Sequence, residues 1–196
     1  MGLFDKLFGG KSRPHYGDFT PTDALMDEAR FWEIIQATKD AKPKDFTLQQ
    51  DELANRLRTK TPDQIILFDY RFWYFRGLAY TWPLWGAIYI IHGGCGDDSF
   101  NDFREWVIGQ GRAFYYKTIQ DPGTLVEVDT DRIEDADWEG MGYIPASVFE
   151  ELTGKELPHQ HMFAENRELS GTEWSDEGDD LKNMFPRLAA KYPDHI

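Results

Sequence analysis

Residues 62–80 have the sequence PDQIILFDYRFWYFRGLAY. Thr61, Pro62 and Gln64 form a strong helix start, with a capping hydroxyl, a proline at the first helical position and an amide three residues after the cap. The residues that follow are apolar on almost every side of the helix. Because a helix that is apolar all round is usually buried in a bundle, this stretch predicts a central helix.

Two amphipathic helices precede it. The first is predicted near residues 23–38, where apolar side chains recur every three or four positions. They are Leu25, Ala29, Trp32 and Ile35. The second helix is predicted to begin at Thr47, whose hydroxyl can cap it. Leu53, Ala54 and Leu57 are expected to face inward from that helix.

Further helices are predicted after the central one. Residues 84–91 form a short apolar helix that follows Pro83, and Ser99 is expected to cap a long helix that ends near Asp121. Residues 124–140 are acidic and irregular, whereas residues 141–144 suggest an extended segment. A short helix from Pro145 to Gly154 and a final helical stretch, interrupted at Pro186, complete the chain. The prediction is a mainly α, single-domain helical bundle.

Composition supports one folded core. The chain has 196 residues, of which 41% are hydrophobic and 15% aromatic, and this excludes global disorder. No apolar run approaches the ~20 residues of a membrane span. The single cysteine, Cys95, cannot form an internal disulfide, which favours a cytoplasmic location. We expect an N-terminal amphipathic segment and linker at 1–21, a helical domain at 22–157, and an acidic loop and helix at 158–196 that pack on the same domain.

Charge is distributed unevenly along the chain. The net charge is -14, and residues 121–196 contain 19 Asp and Glu against 6 Lys and Arg. This excess argues against binding nucleic acid. It is typical of a solvated surface, and it also suits an acidic face that attracts a basic protein partner. The residues chosen for such a face are Asp129, Asp131, Glu134 and Asp135.

The N-terminal segment has a different pattern. In residues 1–12, Leu3, Phe4, Leu7 and Phe8 recur at helical spacing near lysines. Such a segment could associate weakly with a membrane surface. It is too short for a stable isolated helix, so the preferred interpretation is a tethered terminal segment or one that docks on its own domain.

Several short runs resemble one known family. They are FWEII at 31–35, WPLWGA at 82–87, GGCGDDSF at 93–100, GQG at 109–111 and EELTG at 150–154. Over about residues 26–157 the chain resembles the bacterial domain of unknown function 4240 (DUF4240) family. The resemblance implies a single-domain bacterial cytoplasmic protein and implies no particular activity.

A glycine-rich turn gathers residues with possible chemistry. It spans residues 92–98 with the sequence HGGCGDD, and contains His92, Gly93, Gly94, Cys95, Asp97 and Asp98. A helix that begins directly after it could lower the pKa of the thiol or bind an anion. The alternative is a tight turn between helices, in which the glycines allow positive φ and the aspartates cap. Two adjacent carboxylates are a weak metal signal, and we predict no metal and no cofactor.

Charged and aromatic residues near the central helix are further candidates. Asp69 and Arg76 are seven residues apart and therefore share a face of the helix, where they either form structural pairs or line a pocket. The tryptophans Trp73, Trp82, Trp85 and Trp106 are expected in the core, or in an interaction patch if some are exposed. Trp82 and Trp85 are retained as candidate site residues.

A histidine pair near the C-terminus is a weaker possibility. His159, His161 and Glu165 could hold zinc from an extended backbone, but the pattern lacks a fourth ligand.

The acidic excess at residues 121–196 favours a non-enzymatic interaction module, for example an immunity or antitoxin-like protein with a basic partner. The alternative is an enzyme or small-ligand sensor that uses the turn from His92 to Asp98. The sequence gives no indication of oligomeric state.

Overall fold

Helices make up most of the part of the chain that the structure describes. The computed structural model describes residues 16–42, 45–134, 136, 139–158 and 168–196, without the side chains of Arg132 and Glu134. The α-helices of this part of the chain are α1 (Glu28–Ala41), α2 (Phe46–Leu57), α3 (Pro62–Leu78), α4 (Trp82–His92), α5 (Asp97–Gly109), α6 (Arg112–Gln120), α7 (Thr130–Glu134), α8 (Ile144–Thr153), α9 (Asp180–Met184) and α10 (Pro186–Lys191). Two 3₁₀ segments, Pro122–Glu127 and Met141–Tyr143, complete it. The predicted mainly α, single-domain fold is confirmed.

Helix α3 forms the centre of this fold. It begins with the predicted capping box, in which the Thr61 hydroxyl accepts from the Gln64 amide and the Gln64 side chain accepts from the Thr61 amide. It packs against α1, α5 and α8. Its fully buried apolar side chains include Ile65, Phe68, Phe72 and Phe75. Burial on several faces explains why the sequence leaves this helix almost no polar side.

An aromatic cluster joins α3 to its neighbours. The Phe75 ring lies 4.7 Å from Trp32 of α1 and 5.3 Å from Tyr115 of α6, measured between centroids. The Tyr115 hydroxyl donates to the Phe75 carbonyl at 2.7 Å. Such ring contacts stabilise the core beyond simple burial of apolar area.

The first two helices begin at residues other than those predicted. Helix α1 starts at Glu28, after an Asp27 cap, and not near residue 23. Ala29 is exposed, because it lies on the side of α1 opposite the buried face. That face consists of Phe31, Trp32, Ile34, Ile35 and Thr38. Helix α2 is capped by Asp45, so the predicted cap at Thr47 was wrong.

The long helix predicted from Ser99 is in fact two helices. Helix α5 begins at Asp97 after Gly96, with Ser99 inside its first turn, and ends at Gly109. Gly111 then adopts a φ of 89° before α6 starts. Side chains of neighbouring helices bond the freed carbonyls: Gln49 donates to Gly109 and Lys39 donates to Gln110. These bonds satisfy backbone groups that a continuous helix would have paired internally.

The segment predicted to be extended at residues 141–144 is also helical. Residues 141–143 form a 3₁₀ turn, and the Tyr143 amide donates to the Gly140 carbonyl at 3.2 Å. The predicted helix from Pro145 corresponds to α8, which ends at Gly154 in the left-handed conformation as expected. The predicted interruption at Pro186 separates α9 from α10.

The C-terminal helices pack against α4 and the 3₁₀ segment Pro122–Glu127. Their buried apolar side chains are Leu181, Phe185, Leu188 and Tyr192. Lys191 donates to the carbonyls of Val126 and Val128 at 3.1 and 2.9 Å. Residues 168–196 therefore contribute directly to the core of the domain.

The start of the described chain also packs on the bundle. Phe19 contacts Phe149 of α8 edge to face at 4.9 Å, and Lys155 forms an ion pair with Asp18. Residues 16–21, predicted as part of a linker, thus lie against α8. The amphipathic stretch at 1–12 lies outside the described residues. No helix in the described part of the chain has the length and apolar character needed to cross a membrane.

Candidate functional site

The glycine-rich turn follows directly from the end of α4. His92 is the last residue of that helix, and Gly93 caps it with a φ of 65°. Gly94 has a φ of 129°, and its amide donates to the Tyr89 carbonyl at 2.9 Å. Side chains rarely adopt these positive φ values. The turn therefore requires glycine at both positions for structural reasons.

Cys95 is half-buried beneath Trp85. The Trp85 indole donates to the Cys95 carbonyl at 2.8 Å, which fixes the turn against α4. Burial is the main cause that raises the pKa of the Cys95 thiol to about 11; Trp85 acts to lower this pKa, and the nearby Asp97 carboxylate acts to raise it. Because the thiolate is the reactive form, this environment keeps the group protonated at neutral pH.

His92 and the two aspartates have distinct surroundings. The His92 Nε2 atom lies 3.0 Å from the carbonyl of Ile133, which joins α4 to α7. Asp97 and Asp98 are exposed in the first turn of α5, where the helix dipole favours carboxylates. Among the residues that the structure describes, no three His, Cys, Asp or Glu side chains are grouped to hold a metal ion.

Trp82 and Trp85 belong to an aromatic cluster beside this turn. Their rings stack at 6.0 Å, and Trp85 stacks on Phe100 of α5 at 4.9 Å. Trp174 meets Trp82 edge to face at 5.8 Å and donates its indole hydrogen to the Trp82 carbonyl. Both predicted tryptophans are half-buried, whereas Trp106 is fully buried in the core.

Trp174 was not predicted to join this cluster. It lies in an irregular segment, so no helical period connects it to α4. The signal that could have identified it is its position as the one large apolar residue among the acidic residues at 173–180. Such a residue in a polar loop often anchors the loop to the core.

The acidic face is only partly described by the structure. Asp129 and Asp131 are exposed. The Glu134 side chain and Asp135 lie outside the described residues. Glu127 is close in sequence but is paired with Lys117 at 2.6 Å, and this pairing lowers its pKa.

A second group of carboxylates, not chosen from the sequence, lies in the loop before α9. The Asp180 carboxylate accepts from the Ser175 amide at 3.2 Å, which closes the loop on itself. The exposed acidic residues of this loop are Glu173, Asp176, Glu177, Asp179 and Asp180. Trp174 anchors the same loop to Trp82, so these charges are held near α4.

The two charged candidates of α3 do not form a pair with each other. Asp69 is 6% exposed and accepts from the Trp73 indole at 3.2 Å. Burial raises the Asp69 pKa to about 7. Arg76 lies over the Trp73 ring at 4.5 Å and forms its ion pair with Glu105 of α5 at 3.2 Å. Structural pairing thus accounts for Arg76.

Two buried charges of α5 complete this network and were missed from the sequence. Glu105 also accepts from the Gly142 amide at 2.8 Å, and burial raises its pKa. Arg104 donates to the Arg76 carbonyl and lies over the rings of Tyr80 and Phe100. Burial lowers the Arg104 pKa to about 10. Neither residue interrupts the apolar stripe of α5, so the spacing of apolar residues did not indicate that these charges are buried.

The zinc candidates His159, His161 and Glu165 lie outside the described residues.

A family model described as "Protein of unknown function (DUF4240)" matches residues 26–151. The chain belongs to the DUF4240 family. This confirms the resemblance based on the short runs between α1 and α8. Comparison with curated proteins and with solved structures gives no match.

The DUF4240 match includes the turn, Trp82 and Trp85, but it ends before residues 168–196. Those residues nevertheless fit closely onto the matched region. A Cβ atom on Gly86 of α4 would lie 2.9 Å from both Leu181 and the Trp174 indole. In this DUF4240 protein the C-terminal segment and α4 are therefore packed in direct contact.

Proposed function

We propose that this protein is a non-enzymatic interaction module that binds a basic protein through its acidic C-terminal surface. An immunity or antitoxin-like protein in a bacterial cytoplasm is the most concrete form of this proposal. The observation that carries it is the exposure of the C-terminal carboxylates, in the loop at 173–180 and at Asp129 and Asp131.

The attachment of these charges to the fold supports the proposal. Trp174 and the buried side chains of α9 and α10 hold the acidic loop on α4, and Lys191 holds the segment before Asp129. Carboxylates fixed on a folded surface present a defined field. Such a field increases the association rate and the selectivity for a partner of opposite charge.

The chemistry of the turn supports a non-enzymatic role. The raised pKa of Cys95 disfavours a thiolate, and the indole and carbonyl contacts around the turn are those of a helix connection. Nucleophilic catalysis by cysteine instead needs a lowered pKa or an adjacent base.

Capture from the native host tests the interaction. The tagged protein is compared with two variants, Asp129→Asn with Asp131→Asn, and Asp176→Asn with Glu177→Gln and Asp179→Asn. The matched control, Asp23→Asn with Glu33→Gln, removes exposed charges from the nearly neutral half of the chain. We expect a basic protein that the native protein and the control retain and at least one acidic variant loses. Equal retention by all four proteins, or no retained protein, would contradict the proposal.

The alternative, an enzyme or small-ligand sensor that uses the turn, rests on the presence of His92, Cys95 and Asp98 in one short connection. Its test is the pair of variants Cys95→Ala and Asp98→Ala. If either variant removes a host phenotype while the basic partner is still captured, the turn is the functional site. Unchanged phenotypes in both variants would exclude it.

A further inference from the structure

A groove between α1 and the end of α2 lies outside all of the sites described above. Its volume is about 340 Å³, within the range of small-molecule sites. Its lining residues are Ile34, Glu52, Asn55, Arg56, Thr59 and Lys60. The buried Ile34 provides an apolar floor, and the polar residues come from the last turns of α2 and the turn after it.

The hydrogen-bonding groups of this groove are mainly donors. Arg56 forms an ion pair with Glu52, with its Nε atom 2.8 Å from the carboxylate, and its terminal amino groups remain for another acceptor. Asn55 accepts from Arg58 through its Oδ1 atom at 2.9 Å, so its amide hydrogens face other partners. The described part of the chain provides no hydrogen-bond or ion-pair partner for the ammonium of Lys60.

The charge of the groove is opposite to that of the protein. Arg56 and Lys60 provide two cations against the single carboxylate of Glu52, in a chain of net charge -14. Arginine donates in a planar fork that suits carboxylate and phosphate oxygens. The partial negative charge at the end of α2 disfavours an anion at the backbone, so the side chains must hold it.

We propose that this groove binds a small molecule through a carboxylate or phosphate group. Lys60 and Arg56 hold the anionic group, Asn55 donates a further hydrogen bond, and Ile34 contacts the apolar part of the ligand. This site is separate from the proposed acidic interaction surface, and neither depends on the other.

Calorimetry on the full chain tests this proposal with inorganic phosphate and citrate as probes, each against sodium chloride at equal ionic strength. Lys60→Met removes the unpaired cation, and Lys117→Met is the control, since Lys117 pairs with Glu127 elsewhere. We expect saturable binding of at least one probe, weakened about tenfold or more in Lys60→Met and unchanged in Lys117→Met. Binding of one probe alone identifies the anion class.

Two results would overturn the proposal. One is the absence of saturable binding of either probe beyond the chloride baseline. The other is equal affinity in the native protein and Lys60→Met. Lys60 is half-exposed, so this variant is expected to fold, and its thermal unfolding midpoint without a probe verifies that it does. Arg56→Met, measured in the same way, provides a second test of the same donors.

Discussion

At the scale of single residues, buried charge is the main feature that sequence alone could not resolve. The seven-residue spacing correctly places Asp69 and Arg76 on one side of α3. The partner of Arg76 is Glu105 on another helix, and the hydrogen-bond donor of Asp69 is the Trp73 indole. The ion pair between Arg76 and Glu105 depends on how α3 packs against α5. The spacing of residues along a single helix contains no information about that packing.

Substitution of Asp69 should change how stability depends on pH. The folded protein holds this proton up to a pKa of about 7, whereas an exposed aspartate releases it near 3.8. The unfolded state therefore loses the proton first, and Asp69 destabilises the fold increasingly as pH rises from about 4 to 7. Asp69→Asn should gain up to about 4 kcal/mol relative to native between these limits. Urea unfolding at pH 5 and pH 8 covers most of this titration, and the gain should be about 2–3 kcal/mol larger at pH 8 than at pH 5.

The Asp69→Asn prediction has a control variant on the protein surface. Glu33→Gln changes an exposed carboxylate of α1 and should shift stability little at either pH. If Asp69→Asn differs from the native protein by the same amount at both pH values, Asp69 is not the buried titrating group described here.

At the scale of elements, local signals predicted a helix boundary correctly only where the groups that define it lie close together in the chain. The capping box of Thr61 and Gln64 is formed as predicted, because all its groups lie within one turn of the chain. The break between α5 and α6 was missed because apolar positions continue across it from Phe103 to Phe114. It is stabilised by Gln49 and Lys39, which come from other helices.

Gly111 provides a test of this break. Its φ of 89° is strained for any residue with a side chain. We expect Gly111→Ala to destabilise the fold by about 1–3 kcal/mol. Gly96→Ala is the matched control, because Gly96 has a φ of -80° and open space at its Cβ position. Equal chemical unfolding curves for the two variants would show that the positive φ is not required.

At the scale of the whole molecule, the C-terminal segment belongs to the same core as the family region. The DUF4240 match ends at residue 151, but Leu188 of α10 is fully buried. The sequence predicted a final helical stretch there, interrupted at Pro186. It did not predict the loop anchored by Trp174, because that contact joins residues 92 positions apart without any repeating pattern.

Leu188→Ala should therefore destabilise the entire domain. Loss of a fully buried leucine side chain costs about 2–5 kcal/mol. Unfolding in urea, followed by tryptophan fluorescence, should shift to lower denaturant in a single transition. Lys182→Ala, at an exposed position in α9, is the control and should unfold like the native protein. A native midpoint for Leu188→Ala would show that α10 packs without stabilising the bundle.

The central proposal for this protein is that its acidic surface binds a basic protein. Calorimetric affinity for the captured partner, measured over a series of sodium chloride concentrations, tests this directly. We predict that affinity falls as salt increases, because salt screens exposed charges. Affinity should fall less steeply with salt in at least one of the two neutralised variants, either the one at Asp129 and Asp131 or the one in the loop before α9. Affinity that is independent of salt, or equally salt-dependent in the native protein and both variants, would contradict the account.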